Sequence, residues 1–420
     1  MTEIKNPFKS FWMGGYECTD QLNTHGERVD FLNITSHLDF IREDYHLLKP
    51  FSIKTVREGI RWSKVEYKPY HYDFSTVRKM MDAGKECGIQ QIWDICHFGY
   101  PDDLTPLHPH FTRRFVSLCK AFASFYFSVS PYEELIVTPI NEVSFISWLG
   151  GDVASTSPYC RNNGWEVKYA LMRAYIEGVK ALKELYPQIR ILTTEPLVNM
   201  VPPLNATEEQ IQDSKERHEL QYQSIDILCG RICPELGGKP EYLDILGFNF
   251  YYNNEWITGT FDFLGWNDPV PDTRWRPVSD LLMEAYLRYD RPIALTETSH
   301  PGEDRPLWIN QIAKETFKLV EENIPFWGIC LYPIIDRPDW DNLDDWHHSG
   351  LWDTQPLAVL QNRVLHEPSA KALNLALSKL DNIKTEYSNQ NSYIPGKQTS
   401  VVRMFKNIWS SFADKKPDFS

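Results

Sequence analysis

Eight short, largely apolar runs recur along the 420 residues: WMGGYE, IKTVREGI, IQQIWDICH, ELIVTPI, IRILTTE, LDILGFNFY, IALTE and FWGICLY. Helical patterns separate them. A strand that is apolar nearly throughout needs cover on both faces, so the alternation predicts a parallel sheet wrapped by helices. Eight strands permit closure into a (β/α)8 TIM barrel. The rival, an open doubly wound sheet, usually carries a Gly-rich phosphate turn after its first strand, and neither a GxGxxG nor a P-loop pattern occurs here. The expected fold is therefore an α/β barrel with no nucleotide cofactor.

Helical spacing places Leu38, Ile41, Tyr45 and Leu48 on one face, and likewise Val167, Leu171, Ala174, Gly178, Ala181 and Leu185. Further helices are expected near 75–87, 112–128, 207–228, 279–290, 307–323 and 367–379. The barrel is expected to occupy residues 1–378 as a single domain. Residues 379–420 read as a polar tail, with Val401, Phe405, Ile408 and Phe412 on one face of a short amphipathic helix.

With 14 Trp, 21 Tyr and 22 Phe, the chain has aromatic side chains to spare for a cleft that takes flat, amphipathic ligands such as sugars. A net charge of −14 argues against a nucleic-acid partner. The N-terminal stretch lacks an apolar leader, and no later run approaches the roughly 20 apolar residues of a membrane span. The expectation is a cytoplasmic protein that does not engage membranes. The eight cysteines are scattered, as buried free thiols are. Cys229 and Cys233 lack a second ligand pair. The pairs His108/His110 and His347/His348 lack carboxylate or Cys partners at helical spacing, so no metal is expected.

Polar residues gather where the strands end: Arg57, His97, Asn141 with Glu142, Glu195, Asn249 with Tyr251, Glu297, and Tyr332 with Asp336. The chemistry of a barrel sits on that rim. Glu142 follows the fourth strand and Glu297 the seventh, so closure would set them face to face. Alone, Asn141-Glu142 reads more readily as a helix start, the Asn capping and the Glu favouring the positive end. Arg57 and Tyr251 are placed to donate to Glu297 and keep it ionised, whereas no cation adjoins Glu142 in sequence. A glycosidic bond is hydrolysed by one protonated and one ionised carboxyl, about 5 Å apart for retention and about 6.5 to 9.5 Å for inversion. Glu195 reads as a rim ion-pair partner and Glu17 as structural.

In order, GGYECTDQ, VREGIRWSKV, HFGYP, PINEV, FNFYY and LTETS resemble motifs of glycoside hydrolase family 1, the β-glucosidase-like family, over roughly residues 8 to 378. The resemblance implies that Gln21 binds the non-reducing sugar, that His97 is a hydroxyl ligand and that Asn141 holds the 2-hydroxyl. It also implies Glu142 as acid/base, Glu297 as nucleophile, and Arg57 and Tyr251 as the nucleophile's partners. LYPIIDRPDW is similar to the family's AWSLLDNFEW, which sets Tyr332 where a Trp floors the sugar and Asp339 where a Glu grips its distal hydroxyls. Trp340 is retained as a stacking residue.

Asp339 is one methylene shorter than that Glu. Glu58 and Arg61 stand where the family pattern has Phe and Ser, and both departures weaken a glucose or galactose preference. Pro333 follows Tyr332 where the family has a non-proline cis bond; cis is far less costly before proline, so Tyr332-Pro333 is expected to be cis. The segment 339–350 is acidic and lacks Lys and Arg, which argues against a sugar phosphate. Together these features imply a cofactor-independent retaining exo-β-glycosidase acting on a carbohydrate or glycoside. A catalytically silent carbohydrate-binding or scaffold barrel is the alternative, and a metal-dependent aldolase or isomerase a third.

Overall fold

The computed structural model describes residues 5–260, 262–354 and 362–390. Each of the eight apolar runs contains a strand: β1 (Trp12–Gly15), β2 (Thr55–Gly59), β3 (Gln90–Cys96), β4 (Ile136–Ile140), β5 (Arg190–Ile191, resuming at Glu195–Pro196), β6 (Leu246–Asn249), β7 (Ile293–Thr298) and β8 (Phe326–Leu331). They pair in parallel in the order β5-β4-β3-β2-β1-β8-β7-β6-β5. The fifth strand stands at both ends because its first half pairs with β4 and its second with β6, while Leu192 bridges to Ile245 between them. The sheet thus closes on itself. It is a (β/α)8 barrel.

The outer helices are α1 (His37–Leu47), α2 (Ser75–Cys87), α3 (Phe111–Val129), α4 (Val143–Ser147), α5 (Gly164–Leu185), α6 (Glu208–Glu219), α7 (Val278–Tyr289), α8 (Arg305–Glu321) and α9 (Glu367–Gln390). Gly88, at φ 72°, ends α2 as a left-handed cap, and Thr207 with Gln210 forms a capping box that starts α6. The helix expected over 207–228 breaks after Glu219 and resumes at Gln223–Leu228. The last helix continues to Gln390, past the position 379 where the polar tail was expected to begin. The expected amphipathic helix at 401–412 lies outside the described residues. Among the described residues, no helix is long and apolar enough to cross a membrane.

Strand alternation assigns each side chain to the barrel interior or to the helix layer. Met13, Ile92, Ile136, Leu192, Ala294 and Cys330 pack with one another in a cluster separate from the larger core, to which Trp93, Ile95, Val137 and Leu295 belong. Two residues beyond Ile92 on the same face lies Asp94. On β2 the same rule sets Arg57 inward and Glu58 outward. Glu58 therefore faces helix α1, where His37 Nε2 lies 3.0 Å from it and the Tyr45 hydroxyl donates at 2.6 Å. Arg61 turns to Asp30, donating to both carboxylate oxygens at 2.9 and 2.8 Å. These two charges serve the scaffold, contrary to the expectation that they alter sugar preference.

His37 is buried between Glu58 and Asp44, whose Oδ2 lies 2.7 Å from Nδ1, and Arg363 donates to both oxygens of Asp44. Burial alone would favour neutral imidazole, but the two carboxylates outweigh it and raise the His37 pKa from 6.5 to about 9. A raised folded-state pKa stabilises fully below the unfolded value, and that stability is lost as pH rises through the folded one. The shift corresponds to about 3 kcal/mol. The unfolding free energy of the wild type should exceed that of His37→Gln by this margin near pH 6, and the gap should shrink between pH 6.5 and 9.5 in denaturant titrations. A pH-independent gap would contradict the assignment.

Candidate active site

Local sequence explains how each polar side chain reaches the barrel mouth. Arg57 ends the inward face of β2 and is wholly buried, as only a well-paired guanidinium can be. Its Nη1 donates to Glu297 Oε1 at 2.8 Å and to the Thr296 carbonyl at 2.9 Å. Its Nη2 donates to Asp94 Oδ2 at 2.6 Å and to Asn141 Oδ1 at 3.2 Å. Four strands are joined through one cation.

Glu297 reaches the mouth because β7 carries a bulge. Phe248 pairs with Leu295 but Asn249 with Glu297, leaving Thr296 as the extra residue. A bulge re-aims the side chains beside it. Thr296 and Glu297 consequently both face inward, Thr296 Oγ1 donating to Asn249 Oδ1 at 2.7 Å. The second carboxylate oxygen, Glu297 Oε2, accepts from the Tyr251 hydroxyl at 2.8 Å. Burial and the charge of Glu297 push the Tyr251 phenol well up, so it remains a donor.

Glu142 is held differently. Its backbone is left-handed, at φ 43° and ψ 59°, a costly conformation for a residue with a side chain and one that clusters at functional sites. It stands at the N-cap position of α4 without capping the helix through its side chain. Asn141 does not cap it either, since its Oδ1 accepts from Arg57. Instead, both oxygens of Glu195 cap α4, accepting from Val143 N at 2.8 Å and Ser144 N at 3.1 Å. Glu195 thus belongs to the scaffold of Glu142 and is not the rim ion-pair partner expected from the sequence.

Freed from capping, the Glu142 carboxyl accepts from Asn249 Nδ2 at 2.9 Å. The other end of that amide, Asn249 Oδ1, accepts from the Thr296 hydroxyl. Burial and the negative charge of Glu297 push the Glu142 pKa well above the ordinary range, against the Asn249 bond and Arg57, which lower it. The two glutamates therefore share one electrostatic environment, and among the described residues no guanidinium or phenol donates to Glu142.

His97 lies beside this pair. Its Nδ1 is 2.8 Å from Asp94 Oδ2, and its Nε2 is 3.3 Å from Asn141 Nδ2 and 3.5 Å from the Tyr332 hydroxyl. Burial would lower its pKa, but Asp94 chiefly, with Glu17, raises it. The Tyr332 ring stacks on His97 at 5.8 Å and lies under Arg57. It fits because Gly15 has no side chain; a Cβ there would sit 2.0 Å from the ring. The Tyr332-Pro333 bond is cis, as expected.

Gln21 is buried with Oε1 unpartnered, as is the Trp340 Nε1. The Trp340 ring packs against Phe98 and Phe145 at 5.8 and 6.1 Å. Asp339 is not gathered with them. Its Oδ1 accepts from Asp341 N and Asn342 N in its own loop, and its Oδ2 lies 3.4 Å from His347.

Sequence reasoning missed three members of the site. Asp94 bridges Arg57 and His97, and its signal was an acid inside an apolar strand. Glu17, buried at the end of β1, accepts from the Tyr332 hydroxyl at 3.4 Å and faces Arg337 at 3.6 Å. Arg337 lies over Trp340 at 5.3 Å, just upstream of the acidic segment 339–350.

Among the described residues, two groups bring possible metal ligands within 4.8 Å of one another: Cys18, Asp94 and His97, and Asp336, His348 and Asp353. In the first, Arg57 already occupies Asp94, and burial pushes the Cys18 thiol far from its thiolate form. In the second, Arg305 binds Asp353 at 2.7 Å. A cation would have to compete with a guanidinium in both.

No protein-family model matches the chain, and no curated protein matches it by sequence. Solved structures do. A β-glucosidase from Thermotoga maritima in complex with glucoimidazole superposes with a TM-score of 0.70 at 14% identity, over 89% of this chain and 98% of the other. The same organism's β-glucosidase in complex with castanospermine gives 0.68 at 15% identity, over 88% and 98%. Its family 1 β-glucosidase gives 0.66 at 15% identity, over 81% and 86%. At these identities the likeness is one of fold.

Arg57→Met would leave the carboxylates of Glu297 and Asp94 buried without their guanidinium, and should lower the unfolding free energy by about 3 to 5 kcal/mol in urea titrations. Adding Asp94→Asn should recover part of the loss. Unchanged stability in Arg57→Met would contradict the pairing.

Proposed function

We propose that this chain is a retaining exo-β-glycosidase acting on a β-linked, non-phosphorylated sugar. The observation that carries the reading is the pair of glutamates in one mouth, with Glu297 receiving donors on both oxygens and Glu142 pushed toward its protonated form. That asymmetry is what a double displacement requires. Glu297 attacks the anomeric carbon while Glu142 gives its proton to the departing oxygen. Glu142, now ionised, takes a proton from water, which breaks the glycosyl-Glu297 ester and restores both groups. Arg57 and Tyr251 hold the nucleophile, and Asn249 aims the acid. Fold likeness to β-glucosidases supports the reading.

In this reading Gln21, His97, Asn141 and Trp340 contact the non-reducing sugar, whose hydroxyls would satisfy the unpartnered Gln21 Oε1 and Trp340 Nε1. Tyr332 floors it. Asp339 would have to leave its loop bonds to take part, and Glu17 with Arg337 replaces it as the charged pair beside Trp340 and Tyr332. Pairing with Glu17 also leaves Arg337 poorly suited to a sugar phosphate. The catalytic unit is taken as residues 1–378.

A second reading, a catalytically silent sugar-binding barrel, draws on the Tyr332 hydroxyl lying against Glu17 and His97 and on the engaged Asp339. Aryl 2-deoxy-2-fluoro-β-glycosides of several sugars separate the two. The first reading predicts a stoichiometric covalent adduct mapped by mass spectrometry to Glu297, and turnover of the parent glycoside that drops about 100-fold or more in Glu142→Ala. Sugar binding with neither adduct nor turnover would establish the silent barrel instead.

A further inference from the structure

Three consecutive backbone amides carry the Glu142 turn, and all three are held by the end of β5. Glu142 N donates to the Thr194 carbonyl at 2.8 Å, and Val143 N and Ser144 N donate to the two oxygens of Glu195. A left-handed, non-glycine residue keeps its conformation only where its surroundings over-determine it. Here the over-determination comes from residues 194 and 195, more than 50 positions away in the chain. The helix end also attracts a carboxylate. Were that carboxylate supplied by Glu142 itself, as N-cap residues usually do, it would be turned away from Asn249.

We propose that Glu195 is a positioning residue for the acid/base, anchoring the turn that aims Glu142 and placing a further buried carboxyl group next to it. The inference rests on the glycosidase reading for its kinetic consequences. The groups facing Glu142 are Glu297 from β7, Glu195 from β5, Arg57 from β2, and Asn249 and Tyr251 at the end of β6. Those facing Glu195 are Ser144 from α4 and Lys168 and Tyr175 from α5. Glu297 is the stronger of the two neighbouring carboxylates in raising the Glu142 pKa, and Glu195 adds to it. Glu195 is buried and is not among the groups that would contact a sugar in the proposed mechanism, so its effect on the reaction runs through Glu142.

The leaving group tells an effect that runs through Glu142 from a general loss of structure. A dinitrophenyl leaving group departs without a proton, whereas a poor phenol needs the acid. With an aryl β-glycoside series that the wild type turns over, Glu195→Ala should slow glycosylation by at least about tenfold on the poor leaving group and less than about threefold on the dinitrophenyl substrate. Burial raises the Glu195 pKa as well, against its bonds to Val143 and Ser144 and the charge of Lys168. Above that pKa Glu195→Gln removes a negative charge while keeping one of the two accepting oxygens, so the alkaline limb of kcat/KM should move to lower pH. Equal slowing on both substrates, or an unmoved limb in Glu195→Gln, overturns the proposal. Should the wild type neither form the Glu297 adduct nor turn over, the functional reading fails on its own account. Carbon-13 titration of the Glu142 carboxyl then tests the charge effect without substrate: its midpoint falls in Glu195→Gln if the inference holds and stays in place if it does not.

Discussion

A single buried guanidinium holds the mouth of this barrel together. Arg57 donates to a carboxylate on β7, a carboxylate on β3, a carbonyl on β7 and the amide of Asn141 after β4. Burying a cation so completely is tolerable only when carboxylates answer its charge; both Nη atoms are paired while, among the described residues, Nε is not, and the Nη pairing fixes the partners in turn. Asp94 is held by Arg57 and in turn orients His97. Asn141 gives its oxygen to Arg57, which leaves its nitrogen facing His97. The polar arrangement is thus a chain of consequences from one charge on the inward face of β2.

The unequal treatment of the two glutamates follows from barrel geometry. Closure through the split fifth strand brings the ends of β4 and β7 to one rim, and the bulge at Thr296 turns Glu297 into it. Glu297 meets a guanidinium and a phenol. Glu142 meets an amide, apolar burial and a second carboxylate, which together favour its protonated form. No separate device is needed to raise the proton affinity of Glu142 at this rim.

Much of this was legible in the sequence. Apolar runs alternating with helical periodicity led to eight strands and a closed barrel, and the polar positions at the strand ends included Glu142, Glu297, Arg57, His97 and Tyr251. What escaped was what depends on the third dimension. Asp94 sat inside a run read only as a strand, although its two-residue offset from Ile92 marks it as inward. The same rule turns Glu58 away from the barrel mouth and toward His37. Glu195 caps a helix that begins far from it in the chain, and no local pattern announces that. The Thr296 bulge is a matter of register between strands, and Arg337 lay two residues outside the segment whose charge was weighed. Asp339 was placed by analogy with a motif, but its own loop supplies donors that a motif does not record.

The scaffold and the site use charge in different ways. His37, Glu58, Asp44 and Arg363 form a network among β2, α1 and the short strand Arg363–Leu365, where charge serves cohesion. Around Glu142 charge sets the place of a proton. The most direct measurement of that claim is neutron diffraction from crystals grown in heavy water near neutral pD. The account predicts a deuteron on the Glu142 carboxyl, none on Glu297, and deuterated Arg57 and Tyr251 donors directed at the latter. A bare Glu142 beside a deuterated Glu297, or two bare carboxylates, would contradict it.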